Sequence, residues 1–543
     1  MPSLSILLFI CESQAKTTVS PPMGLYKIAA YASGDGIDCD VLCMDLDSPD
    51  KYLAKAEAGG YDVLGISPSH WNAKQDLEVL WRFHDRARKS GKPVLFVGGG
   101  QEASMNPGQW LHFGIDLIFL GFAEKTFAEF CRRYRDLSPD KRAGPVEDLA
   151  GELAGVSYLD RSGALRESPA ETMTCDYFRE VSHHRVLSME IPFAKYWEAV
   201  RGAHADTSLG SEFIVEFVRL YTSSHCSRRC GFCNSQNFLP ISQGGKSPII
   251  MLGAEEVFEL VQHFIDTYGA RGFFFSDDDF PIGNRAGIDR AKRFSKLVVE
   301  AKRAGRIPET VRFHCQARIA DFLVRGTDGT KRPDPAFLEV LEKAGFRSVA
   351  MGVETFSDRL LKAPSINKVG ITAENCMAVL DAMTEAGMVP LINLIIGIPE
   401  AEPRELVETL DIALDYIIGG CEINVTGPML ALPGAPLLDD ERYPVHHWHW
   451  THPKTGEVHP ISSYFEPFDP AVAAVSNGYD RMLDDALDEV ARRHGWEGKI
   501  LHKRIRNTTA ILAAARLLED AVLISKTEDV IARMVDRKSL VLT

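Results

Sequence analysis

The sequence predicts an α/β protein with two sheet domains and a mainly helical C-terminal region. Two successive sets of short Val/Ile/Leu-rich runs, separated by amphipathic stretches, lead to this prediction. Strands of a parallel sheet are buried on both faces and therefore read as continuous apolar runs. At 543 residues the chain is also too long for a single hydrophobic core.

The first domain, expected over residues 1–140, is a doubly wound, Rossmann-like domain. Its predicted strands lie at 5–11, 39–45, 61–67, 93–99 and 115–121. Ligands of such sheets bind beyond the carboxyl ends of the strands. The segments at those ends are PPMG (21–24), SPSHW (67–71), GGGQE (98–102) and GFAE (121–124). No GxGxxG follows the first strand, which disfavours a dinucleotide.

The second domain, expected over residues 211–440, is a partial barrel. Its predicted strands lie at 214–223, 271–278, 311–318, 348–355, 391–397 and 421–427. Six parallel strands are too few for a closed (β/α)8 barrel, so we expect a partial (β/α)6 barrel. The intervening residues 141–210 are predicted to be a linker that contains a small hairpin at 156–167.

The C-terminal region, residues 441–543, is expected to close the substrate cavity. It begins with the aromatic, histidine-rich segment PVHHWHW (444–450), followed by helical stretches near 479–494 and 508–535. An HxH spacing can place two imidazoles on one side of a strand. Because no cysteine or clear carboxylate set completes a metal site there, we favour an aromatic loop that lines the cavity.

Composition limits the class of protein. Hydrophobic residues make up 45% and charged residues 25%, as in ordinary soluble globular proteins. The net charge of −15 argues against nucleic-acid binding through phosphates. No apolar run is long enough for a membrane span, and the first 14 residues lack the basic start of a signal peptide. The scattered remaining cysteines fit a reducing, cytoplasmic environment.

The clearest chemical signal is three cysteines within eight residues: Cys226, Cys230 and Cys233 in HCSRRCGFCNSQ (225–236). Structural zinc binds four ligands, usually as two separated pairs, and no second CxxC is present. His225 could complete a zinc shell only by folding back sharply, and a disulfide suits an odd, crowded triplet badly. The spacing is typical of an iron–sulfur cube with one iron left open for a substrate or cofactor.

In this motif and in the order of its strands, the sequence resembles the radical S-adenosylmethionine (SAM) enzymes that carry an N-terminal cobalamin-binding domain. The resemblance covers roughly residues 1–440. The CxxxCxxC follows the first barrel strand, and an aromatic residue, Phe232, precedes the last cysteine. The resemblance implies a 4Fe–4S cluster held by Cys226, Cys230 and Cys233, with SAM chelating the open iron.

The resemblance also assigns SAM contacts to the ends of the middle barrel strands. In FFFSDDDF (273–280), Asp277 and Asp278 are implied at the SAM amino group. In HCQAR (314–318), Gln316 and Arg318 are implied as polar and carboxylate contacts. In MGVET (351–355), Glu354 is implied near the ribose.

The fifth barrel strand carries NLIIGIPE (393–400), which resembles the family pattern GxIxGxxE with Asn393 in place of the first glycine. There Ile395 would contact the adenine, Gly397 is the glycine of the motif, and Glu400 would brace the loop. ALPGAPL (431–437) resembles the segment after the sixth strand.

In the first domain, the resemblance implies cobalamin contacts at the strand ends. The implied residues are Pro22, Gly24, Ser67, Ser69, His70, Trp71, Gly98, Gly99, Gly100, Gln101, Glu102 and Gly121. The DxHxxG loop that supplies an axial histidine in many cobalamin proteins is absent. We therefore expect cobalamin without a protein histidine ligand, and favour Trp71 over His70 as the group beneath cobalt. GFAE departs from the more usual GEGE turn.

The resemblance implies C-methylation of an unactivated carbon in a small metabolite. A 5′-deoxyadenosyl radical, formed from SAM by one electron from the cluster, would remove a hydrogen atom, and methylcobalamin would supply the methyl group. It also implies an external electron donor such as flavodoxin or ferredoxin.

Other functions remain open at this point. Cyclisation, ring contraction or rearrangement could use the same cofactors without methyl transfer. A methylthiotransferase acting on RNA would need further cluster cysteines and a basic C-terminal module, neither of which the sequence shows. A corrinoid-binding sensor with a structural cluster would have no use for the ordered SAM motifs.

Overall fold

A computed structural model describes residues 3–11, 19–34, 36–203, 215–495 and 503–536. The chain divides into two compact units. The first comprises Met1–Val200, Asn234–Leu252 and His449–Pro460, and the second comprises Arg201–Cys233, Gly253–Trp448 and Ile461–Thr543. The α/β class and the two sheets are as predicted.

The first unit is built on a seven-stranded sheet in the order β2-β1-β3-β4-β5-β6-β7. Strands β1 to β5 are parallel, and β6 and β7 are antiparallel. The strands are β1 Leu4–Ile10, β2 Ile37–Cys43, β3 Val63–Ile66, β4 Leu95–Gly98, β5 Leu117–Phe119, β6 Val156–Leu159 and β7 Leu165–Ser168. All five predicted strands are therefore present, each within a few residues of its expected bounds.

Helices follow these strands along the chain. They are α1 Met23–Ala32, α2 Asp50–Glu57, α3 Ala73–Lys89, α4 Gly100–Met105, α5 Pro107–His112, α6 Glu124–Asp136, α7 Pro139–Arg142, α8 Val146–Ala150, α9 Cys175–Arg179, α10 Arg185–Ser188, α11 Phe193–Ala203 and α12 Phe238–Ser242. Amphipathic α6 packs Phe127 and Phe130 against Phe119 of β5, in a core that also contains Leu4 and Val97. Burial of these side chains is what holds the helix against the sheet.

The hairpin predicted at 156–167 differs from expectation in its role. Its strands β6 and β7 form as predicted, but β6 pairs with β5 and so extends the first sheet instead of standing alone in a linker. Val156 is fully buried in the first core. The apolar face of the hairpin explains why β6 pairs with β5. A two-stranded hairpin needs another surface on which to bury a side chain such as Val156.

The second unit contains a six-stranded sheet in the order β15-β14-β13-β10-β9-β8. All neighbouring strands are parallel, and the sheet is open. The strands are β8 Phe217–Leu220, β9 Gly272–Phe275, β10 Arg312–Ala317, β13 Phe346–Glu354, β14 Val389–Gly397 and β15 Glu422–Pro428. A sequential order of six parallel strands is the arrangement expected of a partial (β/α)6 barrel.

The remaining elements of the barrel cover or connect these strands. They are α13 Ala254–Tyr268, α14 Arg285–Arg303, β11 Leu323–Arg325, β12 Lys331–Pro333, α15 Pro335–Ala344, α16 Asp358–Leu361, α17 Ala373–Glu385 and α18 Pro403–Ile418. Strands β11 and β12 form a separate two-stranded sheet.

Side chains mostly alternate between the two faces of the barrel sheet, with shifts in register near Phe313 and near Glu354. Phe275, Phe313 and Phe346 are fully buried on the face covered by α14, where Phe294 contacts all three rings. Residues between them, such as Phe274 and His314, are only partly buried and lie on the opposite, open face. This alternation follows from the period of two along a strand.

The C-terminal region differs from the predicted loop followed by helices. Residues 444–450 do not form a loop: most of the segment is strand β16 Val445–Thr451, which pairs with β17 Val458–Phe465. The tryptophans Trp448 and Trp450 and the terminal Val445 and Thr451 are residue types that favour strand. The helices are α19 Pro470–Arg493, α20 Lys503–Leu517 and α21 Ala521–Asp536, which bury Val490, Ile505 and Ile531 in a common core.

No helix in the described ranges combines the length and the apolar character needed to cross a membrane.

We predict that Phe294→Ala destabilises the second unit by about 3–5 kcal/mol, because a fully buried phenylalanine leaves a cavity that close-packed rings cannot fill. Guanidinium unfolding measures the change. Phe468→Ala serves as a matched control, since Phe468 is 51% exposed. Equal losses from both substitutions would contradict the assignment of Phe294 to the core.

Candidate functional site

The cysteine loop leaves the carboxyl end of β8, where the sequence motif places it. Cys226, Cys230 and Cys233 form no disulfide and are each partly buried. Burial raises the pKa of Cys226 to about 12 and raises that of Cys230 above its usual value. Binding to iron would therefore have to supply the free energy that deprotonates these thiols.

The backbone of this loop is tightly seated on residues 364–367. The Phe232 N–H donates to the Ser365 carbonyl at 3.0 Å, and the Leu437 N–H donates to the Gly231 carbonyl at 3.0 Å. A Cβ atom on Gly231 would lie 2.2 Å from the Pro364 carbonyl oxygen. Only glycine permits this approach, so the GF pair between the cysteines has a structural explanation.

Glu400 braces the segment that holds the loop. Its carboxylate accepts hydrogen bonds from the Ser365 hydroxyl at 2.5 Å and from the Tyr443 hydroxyl at 2.6 Å. Since the Ser365 carbonyl binds Phe232, Glu400 reaches the cysteine loop through one intermediate residue. The role predicted for Glu400 in binding the cofactor loop stays a prediction, for which these hydrogen bonds supply a path. Ser365 and Tyr443 were not predicted, because neither lies at a strand end or in a motif.

Asp277 is bonded to the residues that enter the cysteine loop, and its predicted contact with SAM stays a prediction. It is 1% exposed, and its carboxylate accepts from the Thr222 N–H at 2.7 Å, the Thr222 hydroxyl at 2.8 Å and the Ser223 hydroxyl at 2.5 Å. Arg290, also buried, donates to the Thr222 hydroxyl at 3.0 Å. Asp277 thus anchors the start of the cysteine loop and leaves Asp278 as the exposed acid of the pair.

Arg318 is held by two buried carboxylates. Its Nε donates to Asp279 at 2.9 Å, and a terminal nitrogen donates to Asp321 at 2.5 Å. These bonds fix the guanidinium close enough to Cys226 and Cys230 to interact with both electrostatically. Arg318 can therefore offset the negative charge that three thiolates would bring, while its predicted contact with the SAM carboxylate stays a prediction.

Glu354 sits at the end of β13 in a strained conformation, with φ of +67°. Non-glycine residues rarely adopt this region, and where they do the site is often functional. Lys368 donates to the Glu354 carboxylate at 2.8 Å and to the Gly352 carbonyl. The ion pair is buried and both its members interact electrostatically with Cys230. Lys368 was not predicted, because it lies in a connecting segment outside any motif.

The other predicted SAM residues lie along the same strand ends. Gln316 and Ile395 are partly buried on the open face of the sheet, and Phe232 is partly buried in the cysteine loop. Gly397 is enclosed, since a Cβ there would lie 2.5 Å from the Ser476 hydroxyl and 2.8 Å from Cα of Pro428. Close packing explains this glycine.

A second candidate site is a cavity of about 210 Å³ in the first unit. It opens at the carboxyl ends of the parallel strands, and its lining is mainly apolar. The predicted residues among its lining are Gly24, Ser67, Gly98, Gly99, Gly100 and Gly121. Gly100 and Gly121 have φ of +88° and +66°, so a side chain at either position would be strained. The cavity thus has the glycine wall that a large ligand needs for close approach.

Two charged residues that line this cavity, Lys27 and Glu124, were not among the predicted contacts. Lys27 and Glu124 line it and form an ion pair of 3.0 Å, with side chains 13% and 5% exposed. One Glu124 oxygen has no hydrogen-bond partner among the described residues. The final residue of GFAE therefore contributes to the cavity even though the turn departs from the usual GEGE.

The remaining predicted cobalamin residues do not line the cavity: Pro22, Ser69, His70, Trp71, Gln101 and Glu102. Glu102 is buried, accepts from the Trp110 indole at 3.4 Å and lies 3.8 Å from Nδ1 of His70. Trp71 is 64% exposed, as an indole that covers a ligand face would be before binding. Its preference over His70 beneath cobalt stays a prediction.

The SPSHW turn is held by a buried acid, Asp76. Its carboxylate accepts a hydrogen bond from the Ser69 N–H at 2.8 Å. The residue Asp76 is 1% exposed. Desolvation raises the pKa of Asp76 to about 7, and the negative charge of Glu102 adds to the effect. The turn that carries His70 and Trp71 therefore rests on a carboxyl group that is protonated below neutral pH.

The histidine-rich segment forms an aromatic cluster. The tip of the β16–β17 hairpin belongs to the first unit, where Trp450 and His452 lie 6.4 and 4.9 Å from the Trp81 ring. Across the described ranges, no three His, Cys, Asp or Glu side chains are gathered closely enough to hold one metal ion.

Comparisons with known families identify both domains. Residues 17–131 match the family model for the B12 binding domain, and residues 220–413 match that for the Radical SAM superfamily. The chain therefore combines a B12-binding domain with a radical SAM domain, which confirms the resemblance seen in the motifs. Cobalamin, SAM and a 4Fe–4S cluster are the cofactors of these domains.

Two methyltransferases match most of this chain at low sequence identity. The chain is 23% identical over 434 residues to the cytidylyl-2-hydroxyethylphosphonate methyltransferase of Streptomyces wedmorensis, covering 73% of this chain and 72% of that one. It is 24% identical over 429 residues to an uncharacterised methyltransferase of Pyrococcus horikoshii, covering 78% of each.

Among solved structures, the cobalamin-dependent SAM radical enzyme OxsB matches with a TM-score of 0.66 and 14% identity, covering 99% of this chain and 76% of OxsB. The radical SAM methyltransferase TsrM from Kitasatospora setae matches with a TM-score of 0.61 and 15% identity. The match covers 98% of this chain and 99% of TsrM. These likenesses show the fold.

We predict that Gly231→Ala abolishes cluster assembly, because its Cβ would overlap the Pro364 carbonyl and unseat the loop between Cys230 and Cys233. Iron content and visible absorbance after anaerobic reconstitution measure the effect. Gly245→Ala is the matched control, since a Cβ there meets nothing within 4 Å. Full iron loading of Gly231→Ala would show that the close approach is not needed.

We also predict a pH-dependent effect of Asp76→Asn. Because the folded-state pKa of Asp76 is raised from 3.8 to about 7, its contribution to stability is fully present below about pH 4 and is lost as the pH rises to 7. A shift of this size corresponds to roughly 4 kcal/mol. The free energy of unfolding of the variant, relative to wild type, should therefore increase from pH 4 to pH 8. A difference that does not vary with pH would refute the raised pKa.

Proposed function

We propose that this protein is a cobalamin-dependent radical SAM methyltransferase that adds a methyl group to an unactivated carbon of a small metabolite. The observation that carries the proposal is the pairing of two sites in one chain. One is a loop after the first barrel strand that carries three cysteines without a disulfide, and the other is a glycine-walled cavity at the strand ends of a B12-binding domain. The methyltransferase names of two relatives support it.

The cysteine loop supplies the donor set of an iron–sulfur cluster. Its three thiols are not gathered closely enough in this structure to hold one metal ion, so cluster binding would have to draw them together. Cys226, Cys230 and Cys233 supply three sulfur donors, and the cations Lys368, Arg318 and Arg228 act on Cys230 in the direction that favours its thiolate. When bound, the cluster supplies the electron that cleaves SAM to a 5′-deoxyadenosyl radical, and cobalamin supplies the methyl group. The tasks left to the protein are to position the reactants and to exclude water.

The strand ends of the barrel supply the positioning groups. Asp278 is exposed and interacts electrostatically with Cys226, and it would bind the SAM amino group. Glu354, held in its strained conformation by Lys368, would bind the ribose hydroxyls. Ile395 offers an apolar surface for the adenine. A preorganised carboxylate of this kind loses little freedom when SAM binds.

In the first unit, the cavity of about 210 Å³ would receive an apolar part of cobalamin, with Lys27 and Glu124 available to its polar groups. An external one-electron donor such as flavodoxin or ferredoxin completes the proposal, because the reaction consumes an electron that no side chain supplies.

The alternative is a cyclisation, ring contraction or rearrangement with the same cofactors and no methyl transfer. The two reactions differ in their products from SAM. A methylase forms S-adenosylhomocysteine and 5′-deoxyadenosine in similar amounts, whereas a rearrangement forms only 5′-deoxyadenosine.

We predict that the reconstituted enzyme, incubated anaerobically with cobalamin, reductant, a metabolite pool and SAM carrying a deuterated methyl group, forms both products and a metabolite with a labelled methyl group. Mass spectrometry measures all three. The variant with Cys226, Cys230 and Cys233 replaced by alanine should form none of them. Formation of 5′-deoxyadenosine alone, without label in any metabolite, would favour the rearrangement.

A further inference from the structure

The open face of the barrel sheet carries an arginine that the proposed chemistry does not use. Arg219 lies on β8, in register with Phe274 of β9, which in turn is in register with His314 of β10. These three side chains share the face opposite α14 and are partly buried. Strands rise about 3.3 Å per residue, so Arg219 lies roughly 10 Å before Thr222, where the cysteine loop begins.

The Arg219 guanidinium is flanked by aromatic rings. It lies 5.6 Å from the ring centroid of Phe217 and 5.2 Å from that of Phe274. Burial lowers its pKa, and the one group that opposes this effect is the Tyr221 hydroxyl. Neither ring nor hydroxyl carries a negative charge, so the cation is desolvated without being neutralised.

The other buried arginines of the second unit show what such a charge requires. Arg290 is stabilised by Asp277 and Asp279, and Arg318 by Asp279 and Asp321. Within the described ranges no carboxylate pairs with Arg219. Because a buried charge is stable only when paired and hydrogen-bonded, the missing acceptor should come from a ligand.

The surroundings of Arg219 are suited to a small anion. Burial holds the pKa of His314 at about 3, so that its imidazole is neutral at physiological pH and neither repels nor replaces the guanidinium. Tyr221 is 56% exposed at the end of the same strand. Farther across the face, the Asn424 amide donates to the Asn393 amide oxygen at 3.2 Å. Among the described residues of this face, Arg219 is therefore a cation without a carboxylate partner, beside several neutral polar groups.

We propose that Arg219 binds an oxyanion of the substrate, a carboxylate or a phosphoryl group, on the open face of the barrel. This inference rests on the proposed function, because it assigns the substrate class of that same site. The planar guanidinium presents two parallel N–H donors that match both kinds of anion. The anion would be held at the far end of the substrate from the carbon that reacts near the cysteine loop.

The test measures binding of two probes, inorganic phosphate and propionate, to the full-length protein by phosphorus and proton NMR, without SAM or reductant. We expect Arg219→Gln to weaken binding of the preferred probe at least tenfold and Arg219→Lys to weaken it less. Arg325→Gln, on an exposed arginine of β11, is the matched control and should bind as wild type does. Preference for phosphate or propionate would distinguish a phosphoryl from a carboxylate substrate.

A second measurement needs no variant. Phenylglyoxal modifies accessible arginines, and the preferred probe should protect Arg219 but not Arg325 in peptide mass spectra. If wild type binds neither anion at millimolar concentration, or if Arg219→Gln binds as tightly as wild type and protection is absent, the inference is wrong. Because neither measurement involves turnover, such a result would leave the proposed methyl transfer untouched, and failure of methyl transfer would leave this inference testable.

Discussion

The cysteine loop depends on one close approach of backbone to backbone, in which Gly231 lies against the carbonyl oxygens of Pro364 and Ser365. Everything else around the three thiols is arranged about this approach. Glu400 binds Ser365 and is itself bound by Tyr443, and Asp277 fixes the residues that enter the loop. A loop of irregular backbone can hold three sulfur atoms in position only if its own hydrogen-bonding groups are satisfied elsewhere in this way.

Buried charge is used in two ways in the barrel. Most of it is internally paired: Asp277 with Arg290, Arg318 with two carboxylates, and Glu354 with Lys368. These pairs give fixed geometry and little net charge, which suits a site that must hold SAM in one orientation. Lys302 is instead bonded to the backbone carbonyls of Val311 and Ala344. Among the described residues Arg219 has neither kind of acceptor, and the anion proposed for it would lie apart from the cofactor site.

The fold and the order of motifs could be predicted from the sequence because they depend on local patterns. Apolar runs gave the parallel strands, and the spacing of Cys226, Cys230 and Cys233 gave the cluster loop. What could not be predicted depends on contacts between distant segments. Asp277 and Asp278 are adjacent in the sequence, and only the position of Thr222 decides which is buried. Lys368 lies outside any motif and acquires its role from a strained turn 14 residues away.

The hairpin that extends the first sheet has a consequence for the behaviour of this unit in solution. A parallel sheet exposes unpaired N–H and C=O groups along its last strand, and such an edge can recruit a strand from a second chain and start aggregation. Here the last strand is β7, which is four residues long and carries Arg166 and Glu167, and Arg166 is paired with Asp160. Shortness and charge both discourage edge-to-edge pairing, so β7 acts as a terminator of the sheet.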